Sequence, residues 1–249
     1  MQAPALSILI LSEDGASDSH LTIVAIAKKM LRLVDAHCDT QPAKIRFEPL
    51  SDKEAGSAVK ANLWMSTRAT DRQAITSLVK YIATKISEAN GFVFFHADGD
   101  RVWTQMQTSE NHSKFTEIIV GRVSKLLEAN GRKPEDHLFR LKLLMPFYSI
   151  ESWLYQNTEA AIAIATNRHH GRDVNTFQAW ALNRAAIDDV PKIKDSICLG
   201  SNHNLVLAKT AFPADVAYSA GTSFAYAVDQ LKWCPALINA LERTYATEE

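Results

Sequence analysis

The chain has 249 residues, is 47% hydrophobic and 22% charged, and is neither Gly- nor Pro-rich, which argues against long disorder and allows a substantial buried core. Its formal net charge of −1 gives no bulk field that would mark nucleic acid or an anionic membrane as a partner, although a local basic patch can still bind phosphates. Three widely spaced cysteines, Cys38, Cys198 and Cys234, with no CxxC spacing, argue against a disulfide framework and a structural zinc site, so a reducing cytoplasm is the expected compartment.

The first element is the apolar run at residues 6–11, LSILIL. It is too short to span a membrane and has no basic n-region, and Glu13 and Asp14 stand where a signal-peptide cleavage site would belong. It therefore predicts a strand buried on both faces and closed by the turn Glu13-Asp14-Gly15. Ser17 or Asp18 is the expected N-cap of a helix whose apolar stripe is Ile23, Ile26, Ala27, Met30, Leu31 and Val34. Residues 43–50, AKIRFEPL, alternate as an edge strand ended by Pro49.

Residues 51–68 read as a small insertion. Asp71 opens a helix with Ile75, Leu78, Val79, Ile82 and Ile86 in register, and Asn90-Gly91 is the expected C-cap. FVFF at 92–95 predicts a second buried strand that stops at HADGD, 96–100. A helix is expected over 113–130, followed by a strand over 138–145 that Pro146 ends, and a helix from Ile150. No other stretch approaches the ~20 apolar residues of a membrane span. The alternation implies an α/β fold, a mostly parallel sheet with helices on both faces, over residues 1–165. Residues 166–249 read as a helical C-terminal part packed on that core, with Trp153 and Trp180 as core anchors.

In open parallel sheets the functional crevice lies beyond the carboxyl ends of the strands. Here the first strand runs into Glu13, the FVFF strand into Asp98 and Asp100, and the 138–145 strand leads to Glu151. Singly, such acids are commonly turn and cap residues. The pair Asp98 and Asp100 around Gly99 is more specific, because both carboxylates can face one ion. Acids converging in one place repel unless a hard cation offsets them.

Residues 6–18, LSILILSEDGASD, resemble the first motif of TOPRIM domains, and HADGD resembles their Asp-x-Asp motif. PFYSIESWL, at 146–154, is similar to the Glu-Ile-Glu-x-Trp-Leu stretch of small TOPRIM-like proteins of bacterial defence islands, with Ser-Ile-Glu here in place of Glu-Ile-Glu. Ser223-Phe224, Cys234-Pro235 and Leu237 resemble the same group. The resemblance spans roughly residues 5–165 and implies a Rossmann-like fold and metal-dependent phosphodiester chemistry. Glu13, Asp98 and Asp100 would be the catalytic residues and would bind Mg²⁺ or Mn²⁺, with Asp18 and Glu151 as further metal residues. A nuclease is preferred to a topoisomerase or a primase, since 249 residues leave little room for a strand-passage apparatus.

His96, Lys209, Arg168 and Arg172 are the substrate-binding candidates; the two arginines flank His169-His170 in a short basic joint. Expected partners are DNA or RNA as substrate, an ATPase that would bring the nucleotide-driven step, since no Walker motif is present, and a second copy of the chain. No membrane partner is expected. Two rival readings stand beside this one. Asp98-Gly-Asp100-Arg-Val102 also fits the Asp-x-Asp-x-Val form of haloacid-dehalogenase-like phosphatases, for which Asp188-Asp189 is the tempting second acidic pair. The other is a non-catalytic partner domain of an ATPase.

Overall fold

The computed structural model describes residues 6–13, 17–40, 44–100, 109–193, 197 and 199–245. Four strands form one all-parallel sheet: β1 (Leu6–Ser12), β2 (Ile45–Pro49), β3 (Gly91–His96) and β4 (Leu141–Leu144), in the order β2-β1-β3-β4. β2 is an edge strand, as its alternation and Pro49 predict. The residues expected in the turn after Glu13, 14 and 15, lie outside the described ones, as do Ala43, the stretch following Asp100, and Cys198.

β1 shows why the sheet is buried on both faces. Leu6, Ile8 and Ile10 point into one apolar cluster together with Phe92 and Phe94, and Leu9 and Leu11 point into another with Val93 and Phe95. That split is the period-2 alternation of a strand. Over the first face lies α1 (Ser17–Val34), seated through Ile23, Ile26, Ala27, Met30 and Leu31. Trp153, Phe177, Phe224 and Leu237 join the same cluster, so the helices after β4 complete this layer. These are α7 (Glu151–Leu154), α8 (Thr158–Asn167), α9 (Gly171–Leu182), α10 (Asn204–Lys209), α11 (Ala214–Ser219), α12 (Ser223–Lys232) and α13 (Pro235–Tyr245).

The opposite face is covered by α4 (Ala69–Ser87) through Ile75, Leu78 and Ile82, and by Phe115 and Ile119. The last two lie in a π-helical stretch, Phe115–Val120, that joins α5 (Glu110–Lys114) to α6 (Gly121–Ala129). The insertion at 51–68 is ordered as α3 (Lys53–Ser57) and a 3₁₀ turn, Ala61–Leu63. It is pinned by Trp64, which is buried between Phe95 and Phe115 and donates its indole N–H to Ala58 O at 2.9 Å. The short helix α2 (His37–Thr40) follows α1.

Three expectations need correction. Gly91 is not a helix C-cap; it is the first residue of β3, where a Cβ would sit 2.0 Å from Lys85 O, so the close approach of strand to helix end requires glycine. The strand expected from residue 138 begins only at Leu141. The preceding residues form a 3₁₀ turn, Leu138–Arg140, from which the Arg140 guanidinium donates to the carbonyls of Ile86 and Glu88 at the end of α4. α1 starts at Ser17, so Ser17 and Asp18 both belong to its first turn rather than preceding it. Among the described residues no helix is long and apolar enough to cross a membrane.

Candidate functional site

Strand order decides where a crevice opens. From β1 the chain moves outward to β2, then returns across β1 to β3 on its other side and onward to β4. The connections on either side of the β1–β3 pair therefore run in opposite directions, and the gap beyond their carboxyl ends is the topological switch point of the sheet. A cleft of about 970 Å³ lies at this edge, lined by Ser12 and Glu13 after β1 and by His96, Asp98, Gly99 and Asp100 after β3. Asp18 and Thr22 of α1, Glu110, Asn111 and Lys114 of α5, and Glu151 of α7 line it too. Lys60, Ala61 and Asn62 form part of its wall, as do Ser201, Asn202 and Asn204 from the C-terminal part.

The central contact joins the two strands that flank the switch point. Glu13 Oε2 accepts the backbone N–H of Asp98 at 3.1 Å. A second backbone donor, Ala61, faces the same carboxylate. Burial pushes the Glu13 pKa up most strongly, and the nearby negative charge of Asp100 pushes the same way. The two backbone donors and Lys60 act against that rise, which they reduce without cancelling. Glu13 is thus a half-buried acid beside another acid.

HADGD owes its course to the chain beyond β4. Ala97 N–H donates to Leu144 O at 3.4 Å, Gly99 N–H to Pro146 O at 3.0 Å, and Asp100 N–H to Tyr148 O at 3.4 Å. A Cβ on Gly99 would lie 3.0 Å from Pro146 O, so the small residue lets the two segments run this close. Asp100 takes a left-handed backbone, φ 52, which aspartate tolerates better than most residues. Asn111 then locks the turn: its Nδ2 donates to Asp98 O and to Asp100 Oδ2, both at 2.9 Å. Ser109 ties in the same loop by donating its hydroxyl to Gly99 O at 2.8 Å, while it caps α5 by accepting from His112 N. His96, only 4% exposed, sets its Nε2 3.6 Å from Asp98 Oδ1.

Glu151 is 7% exposed and yet borders the cleft. Each carboxylate oxygen has its own donor: Ser149 Oγ reaches Oε2 at 2.5 Å, and Asn204 Nδ2 reaches Oε1 at 2.9 Å. The serine of the SIE stretch therefore has a definite task, orienting the acid two residues on. Asp18 is exposed on the rim, in the first turn of α1.

All five acids expected from the sequence, Glu13, Asp18, Asp98, Asp100 and Glu151, border this one cleft, and His96 does as well. Arg168, Arg172 and Lys209 do not line it. Arg168 turns its guanidinium to Leu199 O at 2.9 Å, and Arg172 is exposed in the first turn of α9. Lys209 is exposed at the last turn of α10, whereas Asn204 at the start of that helix borders the cleft; at 1.5 Å per residue the helix carries Lys209 past the site. Asp188 is absent from the lining too. It is 1% exposed and accepts the backbone N–H of Ser223 at 2.7 Å, acting as the cap of α12. Sequence reasoning missed Lys60, Asn62, Asn111, Ser201, Asn202 and Asn204; no periodicity or motif marks single polar residues in short turns and at helix starts.

The donors suit a hard cation, since carboxylate oxygens dominate and no described cysteine borders the cleft. Among the described residues no three His, Cys, Asp or Glu side chains are gathered tightly enough to hold a metal ion. Mg²⁺ does not need such a cage, because it keeps several waters and binds proteins through one or two carboxylates. Asp98 and Asp100, set on one short loop braced by Asn111, are the two carboxylates that would meet that smaller requirement. Compared with protein-family models, curated proteins and solved structures, the chain matches none of them.

Proposed function

We propose that the chain is a Mg²⁺- or Mn²⁺-dependent phosphodiester hydrolase of the TOPRIM type, a nuclease of bacterial anti-phage defence. One observation carries this reading: the Glu13 carboxylate meets the Asp98 N–H across the switch point, so acids 85 residues apart in sequence share one cleft with Asp100 and Glu151. Asp98 and Asp100 would hold the metal. When bound, it would supply electrostatic stabilisation of the charge that develops on the phosphoryl oxygens.

The remaining chemistry falls to the chain's own side chains. A carboxyl whose pKa is raised by burial is a stronger base than an ordinary carboxylate, and Glu13 is that group. Its carboxylate takes a proton from the attacking water as the water oxygen bonds to phosphorus and the P–O bond to the departing sugar oxygen breaks, and that oxygen, on the opposite side of phosphorus, takes its proton from solvent. Asn111 keeps the Asp98–Asp100 turn in one geometry, and Ser149 and Asn204 do the same for Glu151. Any nucleotide-driven step would come from a partner ATPase.

Cleavage of fluorogenic DNA and RNA, with Mg²⁺ or Mn²⁺, tests the proposal on the wild type and Asp98→Ala. Metal-dependent cutting that falls more than ~100-fold in the variant is the expected result. Release of inorganic phosphate from a phosphomonoester, without strand cutting, would replace the nuclease by a phosphatase. No binding of either metal at millimolar concentration by calorimetry would remove both.

A further inference from the structure

The two described lysines of the cleft differ in what they face. Lys114 Nζ lies 3.0 Å from Glu110 Oε2, one helical turn away. Lys60 is exposed, borders the cleft, and makes no ion pair with a carboxylate among the described residues. Its ammonium is nevertheless close enough to Glu13 to favour the charged form of that acid.

The backbone beneath Lys60 is firmly held. Lys60 is extended, φ −66 and ψ 123, and immediately precedes the 3₁₀ turn whose first residue, Ala61, faces its N–H to Glu13. Trp64, at the other end of that turn, is buried against Phe95 and Phe115. The segment thus offers a long cationic side chain from a fixed root, with the exposed Asn62 amide beside it on the same wall. A phosphodiester approaching Glu13, Asp98 and Asp100 meets like charges, and a cation on the wall offsets that repulsion.

We propose that Lys60 and Asn62 form the backbone-phosphate subsite of the cleft, where Lys60 Nζ holds a non-bridging phosphate oxygen of the nucleic acid and the Asn62 amide a neighbouring phosphate or sugar oxygen. This rests on the phosphodiester reading above. An ammonium is a point charge with three rotatable donors and no preference for a base edge, so the subsite holds any sequence alike. Lys60 acts on substrate binding, and its removal raises KM with kcat little changed.

The test is fluorescence anisotropy of a dye-labelled oligothymidylate over a salt series in EDTA, with the wild type, Lys60→Met and Lys60→Arg. Each phosphate of a single strand that a protein cation neutralises adds about 0.7 to the slope of log K against log salt. Lys60→Met is expected to show a slope smaller by that amount with a several-fold weaker affinity, and Lys60→Arg to keep the wild-type slope. Steady-state cleavage by Lys60→Met should show the KM increase alone. Wild-type binding with an unchanged slope in Lys60→Met overturns the subsite and leaves the nuclease reading standing. If the wild type itself does not bind the strand, the subsite and the nucleic-acid substrate fall together. Equal melting temperatures for wild type and Lys60→Met establish that folding is not the cause.

Discussion

Glu13 Oε2 lies 3.1 Å from the backbone nitrogen of Asp98, so the end of β1 is hydrogen-bonded to the loop that carries the Asp-x-Asp pair. Because the donor is main chain, replacing the Asp98 side chain leaves this link in place. Effects of Asp98 variants then report on the carboxylate itself.

The same hydrogen-bonded acid makes stability depend on pH. The Glu13 pKa is raised by burial and by Asp100, so the folded state binds its proton more tightly than the unfolded chain does. Its favourable contribution is complete below the unfolded value of 4.5 and is lost as pH rises through the higher folded pKa. Without divalent metal, wild type is therefore expected to lose melting temperature between acid and neutral pH relative to Glu13→Gln. For a chain of this size each 1 kcal/mol corresponds to about 2–4 °C. Mg²⁺ or Mn²⁺ should restore part of the wild-type loss, since a ligand bound only by the folded state stabilises it. Parallel melting curves for the two proteins across that range would show that Glu13 is not desolvated.

Asp100 sits at φ 52, where a Cβ is disfavoured, and Asn111 holds its carboxylate. Asp100→Gly is expected to be more stable than Asp100→Ala by about 1 kcal/mol, because glycine reaches this conformation freely. Both lose the acid, and both should be inactive. Asn111→Ala keeps every acid and loses only the brace, so metal affinity or cleavage should fall about 10–100-fold, in the range of changes to groups that orient ligands. Thermal melts of the Asp100 pair and metal titration of the Asn111 variant check these outcomes; Ala as stable as Gly would contradict the turn.

Away from the cleft, Asp188 accepts the first N–H of α12 while Trp153 Nε1 donates to Ser223 Oγ at 2.7 Å. Burial raises the Asp188 pKa, and the Ser223, Thr222 and Ser152 donors around it oppose that rise. Asp188→Ala removes a cap and leaves buried donors without their acceptor, at a cost of about 2–3 kcal/mol. Urea denaturation should show that destabilisation. Cleavage by the surviving folded fraction should be unchanged, because Asp188 is outside the cleft lining. A catalytic defect in folded Asp188→Ala would give this pair the role that the phosphatase reading assigns it.

The amino-acid sequence alone determines the parts that depend on near neighbours. Alternation of apolar residues gives β1 and β3, the stripe from Ile23 to Leu31 gives α1, and the acids Glu13, Asp98 and Asp100 follow their strands as connections do. Tertiary structure decided the rest. Gly91 suits a C-cap in sequence, and only the approach of Lys85 O makes it the start of a strand. The residues just before β4 carry a strand-like pattern, yet Arg140 reaches back to the end of α4 and bends them into a turn. Arg168, Arg172 and Lys209 have the right chemistry, whereas Lys60, Asn111 and Asn204 have the right place. Periodicity is a property of adjacent residues, but the walls of a cleft are set by strand order, which brings distant turns to one sheet edge without leaving a mark on either turn.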